Sequence, residues 1–183
     1  MNLLGYISIL FIAFNPRIEK LVSTAKTPEQ IILILDSFDR NDYKTVFDYI
    51  PDINPLNPDR MKRFSSSFGE RFHPIDKVRK AHLGIDISAP KNLAVHSSAK
   101  GKVIYVGRSK GYGLIVIIEH SYGFTTKYAH LNYILAKKGQ NVEKGDIIGR
   151  VGTTGKSTGD HLHYEIIKNK RAIDPYKLIT LKN

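Results

Sequence analysis

The sequence predicts a mainly β protein, an antiparallel β-sheet or small sandwich with a short N-terminal helical segment. From about residue 61 onwards, short runs rich in Val, Ile, Tyr and Thr alternate with turns that contain Gly. No long stretch there repeats its apolar residues with the period of 3.6 that is typical of helices. Before residue 61, by contrast, a helix-capping sequence precedes a run of apolar residues, and this pattern predicts the helical segment.

The first fourteen residues, MNLLGYISILFIAF, are apolar apart from Asn2 and Ser8. Such a run resembles the hydrophobic region of a signal peptide, and it is shorter than the roughly 20 residues that span a bilayer. No Lys or Arg precedes it and no clear cleavage site follows it, so a strand or helix packed on the domain is the alternative. We predict that residues 1–20 are an export signal or a membrane anchor.

Residues 21–60 are predicted to be a helical arm followed by a linker. Thr27–Gln30 has a capping Thr, then Pro, and a Gln three residues after the cap, which is how helices begin. The apolar residues Ile31–Leu35 follow, so a helix of two or three turns is expected. A second short helix is expected around Lys44–Tyr49, and three prolines between residues 51 and 58 then mark the linker.

Residues 61–183 are predicted to form the main domain. Its candidate strands are Lys102–Gly107, Leu114–His120, Thr125–Leu131, Asp146–Val151 and His161–Ile167. Short strands at such close spacing, separated by turns, favour antiparallel pairing.

Composition excludes several classes of protein. The chain has no Cys, so disulfide frameworks, Cys-ligated zinc fingers, iron–sulfur clusters and thiol catalysis are excluded. Residues 61–183 carry 22 Lys and Arg against nine Asp and Glu. This excess favours an anionic partner, and nucleic acid, acidic lipid and an acidic cell-wall polymer all qualify.

Two segments have the residues of a hydrolytic zinc site. His82 and Asp86 lie four residues apart, His161 and His163 lie two apart, and even spacings on an extended strand share a face. A catalytic zinc takes three nitrogen or oxygen ligands and leaves one position for water. The alternatives are a hydrogen-bonded structural Asp and an ordinary half-exposed strand. His130, which ends another candidate strand, adds an imidazole that can handle protons.

Other catalytic motifs are not matched. The glycines at 149 and 155 are separated by five residues, where a phosphate-binding P-loop has four. No His-Glu-x-x-His helix exists, and the Cys pair of zinc deaminases is missing. Gly152–Asp160 is best explained as a glycine-rich loop that leads into the His161 strand.

The segment from about Phe64 to Tyr176 resembles the lysostaphin-type (LytM-type) zinc peptidases, which cut peptidoglycan cross-links. The motifs that carry the resemblance are Phe68-Gly-Glu-Arg-Phe-His-Pro74, His82-x-x-x-Asp86, Tyr128-Ala-His130-Leu131, Gly145-Asp-Ile-Ile-Gly149, Gly155-x-Ser-Thr-Gly159-x-His161-Leu-His163-Tyr-Glu165 and Asp174-Pro175. They cover about two thirds of the chain, in order.

The resemblance implies that His82, Asp86 and His163 bind Zn²⁺. It implies that His130 and His161 are the catalytic histidines, which activate water and stabilise the tetrahedral intermediate; the sequence does not decide which does which. His73 also matches a family position, but no role follows for it.

The implied function is a zinc-dependent endopeptidase of the cell envelope (periplasm or extracellular), with anionic peptidoglycan as partner. Residues 1–14 offer it a membrane anchor. The alternative is a non-catalytic envelope module that binds peptidoglycan or activates another cell-wall hydrolase. No nucleic-acid partner is expected, because charge alone favours one and no aromatic stacking platform accompanies it.

Overall fold

An antiparallel sheet of ten strands dominates the fold, and two further strands form a separate hairpin. The structure is a computed structural model that describes residues 16–39, 43–72 and 78–180. Among these residues, no helix has both the length and the apolar character needed to cross a membrane. The predicted signal or anchor run at residues 1–14 lies outside the described residues, as does His73.

Twelve strands, four α-helices and one short 3-10 helix (Ser121–Gly123) follow one another along the described chain. The strands are β1 (Arg63–Ser66), β2 (Gly69–Phe72), β3 (Arg79–His82), β4 (Ile85–Ser88), β5 (Ala94–His96), β6 (Gly101–Ser109), β7 (Gly113–Glu119), β8 (Phe124–Ile134), β9 (Asn141–Val142), β10 (Ile147–Val151), β11 (His161–Lys168) and β12 (Arg171–Ile173). The helices are α1 (Pro16–Thr24), α2 (Pro28–Asp36), α3 (Lys44–Phe47) and α4 (Pro175–Ile179).

The main sheet has the strand order β1-β4-β11-β8-β7-β6-β9, and β2 pairs with β3 in the hairpin. At its edges, β10 pairs with both β5 and β8, and β12 pairs with β11. The neighbours β4, β11 and β8 therefore bring together segments that lie far apart in the sequence.

The prediction of a mainly β, antiparallel fold with a short N-terminal helical segment is confirmed. The five predicted strands correspond to β6, β7, β8, β10 and β11. The short strands β1–β5, β9 and β12 were not among the five candidate strands, because four residues or fewer give too little alternation to be recognised.

The predicted helix after Thr27 is also confirmed. The Thr27 hydroxyl accepts a hydrogen bond from the Gln30 backbone N–H at 3.3 Å, and the Gln30 side chain accepts one from the Lys26 N–H at 2.8 Å. α3 ends two residues earlier than the predicted Tyr49. Two helices were not predicted: α1, which runs through residue 20, and α4, where the Asp174 side chain caps the first turn.

The helical segment packs against the sheet as part of one hydrophobic core. Ile18, Val22 and Ile31 are fully buried in the same cluster as the sheet residues Tyr128 and Tyr164. Polar contacts add to this packing. Lys168 Nζ and Asn169 Nδ2 both donate to the carbonyl of Ser23 near the end of α1, at 3.2 and 3.0 Å, and Lys144 Nζ lies 2.8 Å from the buried carboxylate of Asp52.

We expect Ile31→Ala to lower the free energy of unfolding by about 2–5 kcal/mol, because it opens a cavity between α2 and the rest of the core. Ile31 is 0% exposed, whereas Leu33 on the same helix is 67% exposed. Leu33→Ala is therefore the matched control, with an expected change within about 0.5 kcal/mol. Urea unfolding measures both, and equal small losses would show that the arm is not part of the core.

Candidate active site

Three side chains that the resemblance marks as metal ligands converge at one buried point. The Asp86 Oδ1 atom lies 2.8 Å from His163 Nδ1 and 3.2 Å from His82 Nε2. The two imidazole nitrogens are 3.1 Å apart. All three residues are at most 7% exposed. One donor atom from each can therefore face a single metal ion.

The strands that carry His82 and Asp86 differ from those that the sequence predicted. His82 and Asp86 were expected on one strand, and this is wrong: His82 ends β3 of the hairpin, whereas Asp86 belongs to β4 of the main sheet. The chain turns between them at Gly84, where a Cβ atom would lie 2.2 Å from the carbonyl oxygen of Tyr164. Asp86 and His163 meet because they are directly paired across β4 and β11.

Hydrogen bonds fix which nitrogen of each imidazole faces this point. The Nδ1 atom of His82 lies 2.7 Å from the carbonyl oxygen of Ser67, so it carries the proton and donates. The Nε2 atom of His163 lies 3.0 Å from Glu165 Oε1, so it donates to that carboxylate. Each ring therefore turns a lone pair towards the Asp86 oxygen.

Three acceptor atoms thus face one another in a buried space. Their lone pairs repel one another, and only a cation between them removes this repulsion. A proton can occupy part of this space, since the hydrogen bonds that His163 donates to Asp86 and Glu165 outweigh the effect of burial and raise the pKa of His163. A tetrahedral zinc with bonds of about 2.0 Å separates its ligands by about 3.3 Å. The observed separations of 2.8–3.2 Å are close to this value, so the donor set fits zinc.

The carboxylates of the site are held in the charged form. Burial raises the pKa of Asp86, but hydrogen bonds with His163 and His82 outweigh it and keep that pKa well below its usual range. Glu165 is 1% exposed, and its hydrogen bonds with His163, Lys127 and Tyr112 overcome burial and lower its pKa to about 2. The Tyr112 hydroxyl lies 2.7 Å from Glu165 Oε1, and Lys127 Nζ lies 2.8 Å from Oε2.

The two predicted catalytic histidines lie beside this cluster. The His130 and His161 rings are 4.8 Å apart, and His161 Nε2 lies 3.7 Å from Asp86 Oδ1. His130 Nδ1 lies 2.7 Å from the Thr154 carbonyl, and His161 Nδ1 lies 2.8 Å from the Gly159 carbonyl. In both rings Nδ1 therefore donates to the backbone, and Nε2 is the nitrogen left to exchange protons.

A β-bulge directs the His130 side chain. The sequence placed His130 at the end of its strand, and this is wrong, because β8 continues to Ile134. At this point the pairing of β7 with β8 shifts register, and His130 has a φ of 59°. Bulges turn a side chain away from its regular direction, often next to active sites. Burial lowers the pKa of His130 to about 4, so its imidazole is neutral at physiological pH.

The cluster lies in an open groove of about 530 Å³. Four cationic side chains are among the residues that line it: Arg71, Lys80, Lys110 and Lys156. Within the described part of the chain, no residue of the helical arm or linker lines the groove. The described arm therefore leaves it open.

Two other histidines lie outside this groove. His96 is partly exposed, and its Nδ1 lies 2.8 Å from the Gly145 carbonyl. His120 is 5% exposed, and its ring lies between the Lys100 carbonyl at 2.8 Å and the Thr126 hydroxyl at 2.7 Å.

We expect His120 to make the fold sensitive to acid. Burial, with the charge of Lys144 adding to it, lowers the pKa of His120 to about 4, below the value of about 6.5 in an unfolded chain. Between these values the unfolded state binds more protons, so the free energy of unfolding falls as the pH falls, by up to about 3 kcal/mol.

Urea unfolding between pH 7 and pH 4 measures this loss. His120→Asn keeps a donor for the Lys100 carbonyl but cannot titrate, so its stability should depend less steeply on pH. Equal slopes for the two proteins would show that His120 does not contribute.

The family model of peptidase family M23 matches residues 80–175. The chain belongs to peptidase family M23. This confirms the lysostaphin-type resemblance, and the matched segment contains all five predicted site residues.

Relatives of this M23 chain are named as DD-carboxypeptidases or DD-endopeptidases. It is 47% identical over 113 residues to the DD-carboxypeptidase/endopeptidase Mpg of Neisseria meningitidis, covering 62% of this chain and 26% of that protein. It is 40% identical over 116 residues to the peptidoglycan DD-endopeptidase ShyA of Vibrio cholerae, covering 63% and 27%. The chain thus spans about a quarter of the length of these relatives.

Solved structures agree with the M23 fold. A zinc-containing peptidase from Vibrio cholerae has a TM-score of 0.62 and 37% identity, with 66% of this chain and 37% of that chain covered. The catalytic domain of lysostaphin from Staphylococcus simulans has a TM-score of 0.58 and 29% identity, with coverage of 66% and 92%.

Three residues of the candidate site were not among the predicted site residues. Arg71, Tyr112 and Lys127 contact Asp86 or Glu165 from other strands and turns. Glu165 lies two residues after His163 in the same candidate strand, but no role was predicted for it. Its place between the apolar residues Tyr164 and Ile166, two residues after His163, is the sequence signal that could have identified it. A carboxylate buried in such a strand is paired or hydrogen-bonded.

Proposed function

We propose that this protein is a zinc-dependent endopeptidase that hydrolyses peptide cross-links of bacterial peptidoglycan. The observation that carries the proposal is the convergence of the lone pairs of His82 and His163 on the Asp86 carboxylate, beside two further histidines in an open groove. The names of the relatives support the substrate class, and zinc is supported by the donor set and by the zinc-containing peptidase from Vibrio cholerae.

In this proposal His82, Asp86 and His163 hold the zinc. Bound zinc supplies a Lewis acid, which polarises a carbonyl group and lowers the pKa of a coordinated water towards about 7. Ser67 and Glu165 keep the two ligating imidazoles in the required tautomers.

In this proposal His130 and His161 carry out proton transfer and stabilise the developing negative charge. One imidazole takes the proton of the attacking water through Nε2 and returns it to the leaving amine as the peptide bond breaks. The other imidazole, when its Nε2 also carries a proton, donates a hydrogen bond to the carbonyl oxygen as negative charge develops there. Because the rings lie 4.8 Å apart, both can reach a single peptide group.

The charge of the groove agrees with a cell-wall substrate. Cationic side chains line its walls, and Asp86, the carboxylate among the lining residues, is turned towards the histidines. Peptidoglycan peptides carry free carboxylates, and complementary charge raises their local concentration at the site. Such a substrate implies action in the cell envelope, and residues 1–14 would serve as the export signal or membrane anchor.

Cleavage of isolated sacculi tests the proposal. The purified full-length chain is stripped of metal, restored with zinc and incubated with sacculi, and the released muropeptides are separated. We expect cross-linked dimers to decrease and monomers to increase only with zinc, and not with His161→Ala. Binding to sacculi with one zinc per chain but no loss of dimers would overturn the proposal in favour of a non-catalytic envelope module.

A further inference from the structure

The two oxygens of the Asp86 carboxylate have different partners. Oδ1 faces His82 and His163, as described above, whereas Oδ2 accepts a hydrogen bond from Arg71 Nη2 at 3.0 Å. A charge-assisted bond from the planar guanidinium restricts rotation of the carboxylate more than water would. The contact therefore restrains the plane of the carboxylate, with one oxygen facing the histidines and the other facing Arg71.

The β2–β3 hairpin delivers Arg71 to this position. Arg71 on β2 is paired with Lys80 on β3, two residues before His82. One hairpin thus carries both His82 and the side chain that restrains Asp86 on β4. The hairpin and the main sheet meet at the site through these two residues.

The Nε atom of Arg71 gains nothing from the position of this side chain. Its Nε atom is buried without an acceptor in the described part of the chain, which costs free energy. Its side chain is only 27% exposed. Among the described residues, the acceptor for this guanidinium is Asp86 Oδ2.

We propose that Arg71 is a positioning residue that holds Asp86 with Oδ1 turned towards the metal and so strengthens zinc binding. This inference rests on the proposed ligand set. An opposing effect is the repulsion between the guanidinium and a cation. The Asp86 charge lies between the two and is paired with Arg71, so the orienting effect should dominate.

Zinc affinity of the full-length chain, measured by competition with a chelator, tests this inference. We expect Arg71→Met to weaken zinc binding about 10- to 100-fold, the usual effect of losing a group that orients a metal ligand. Arg71→Lys should recover part of this loss, because one donor and the charge remain. Lys110→Met removes a charge from the same groove and should change the affinity less than about twofold.

Thermal unfolding of the metal-free variants shows whether the hairpin still folds, and a folded Arg71→Met with unchanged or tighter zinc binding would overturn the inference. Unchanged affinity together with a raised KM at saturating zinc would mean that Arg71 contacts substrate instead, and would also overturn it. If the wild type binds zinc but cuts nothing, the proposed function fails while the affinity comparison still decides the role of Arg71.

Discussion

Replacing Asp86 with Asn will reduce bound zinc from one ion per chain to below about 0.1 and abolish cleavage of peptidoglycan cross-links. The substitution keeps the shape of the side chain but removes the negative charge that the two imidazole lone pairs face. Asp86 also lies at the centre of the cluster, since its Oδ1 atom contacts both His82 and His163. Zinc content after dialysis and dimer loss from sacculi measure the two effects.

Asp160→Asn is the matched control for this substitution. Asp160 is exposed and accepts a hydrogen bond from Thr153, close to the start of β11 but outside the cluster. Its variant should retain zinc. The metal-free Asp86→Asn protein should remain folded, as its circular dichroism spectrum would show. Full zinc occupancy in Asp86→Asn would contradict the ligand assignment.

Replacing His130 or His161 with Ala should separate metal binding from chemistry. Neither side chain belongs to the group of three that can hold the metal, so zinc content should stay near that of the wild type. Each variant loses either the proton acceptor or the hydrogen-bond donor to the developing oxyanion. We therefore expect kcat to fall by about two to four orders of magnitude.

Single-turnover cleavage of a purified cross-linked muropeptide dimer, with zinc content determined on the same samples, measures this separation. His96→Ala removes an imidazole that lies outside the groove, so its cleavage rate should match the wild type. Near-normal turnover in both His130→Ala and His161→Ala would show that the two histidines have no catalytic role.

The sequence correctly predicted strand β11 and the alternation of its side chains. Alternation along this strand places His163 and Glu165 in the site, while Leu162, Tyr164 and Ile166 are fully buried on the other face. The strand is regular, so a period of two residues describes it fully.

Other parts of the site could not be derived from local pattern. His82 and Asp86 meet although they belong to different sheets, because the turn at Gly84 packs against β11. The bulge at His130 depends on the pairing of β8 with β7. Such features follow from the order of strands in the sheet, which alternation within a single strand does not reveal.

The contacts that orient the site could not be predicted from the sequence pattern either. Arg71 reaches Asp86 across 15 residues, and Tyr112 reaches Glu165 across 53. Each of these residues lies in a sequence segment that resembles an ordinary strand or turn. Only the positions of the hairpin and of the turn between β6 and β7 make them neighbours of the cluster.

The location of bound zinc is the most direct test of this account. Crystals of the zinc-loaded full-length chain, measured on both sides of the zinc absorption edge, would locate the ion by its anomalous scattering. We expect one strong peak about 2.0–2.2 Å from His82 Nε2, Asp86 Oδ1 and His163 Nδ1. A peak coordinated by other side chains, or none at these three atoms in crystals that contain stoichiometric zinc, would contradict the proposed metal site.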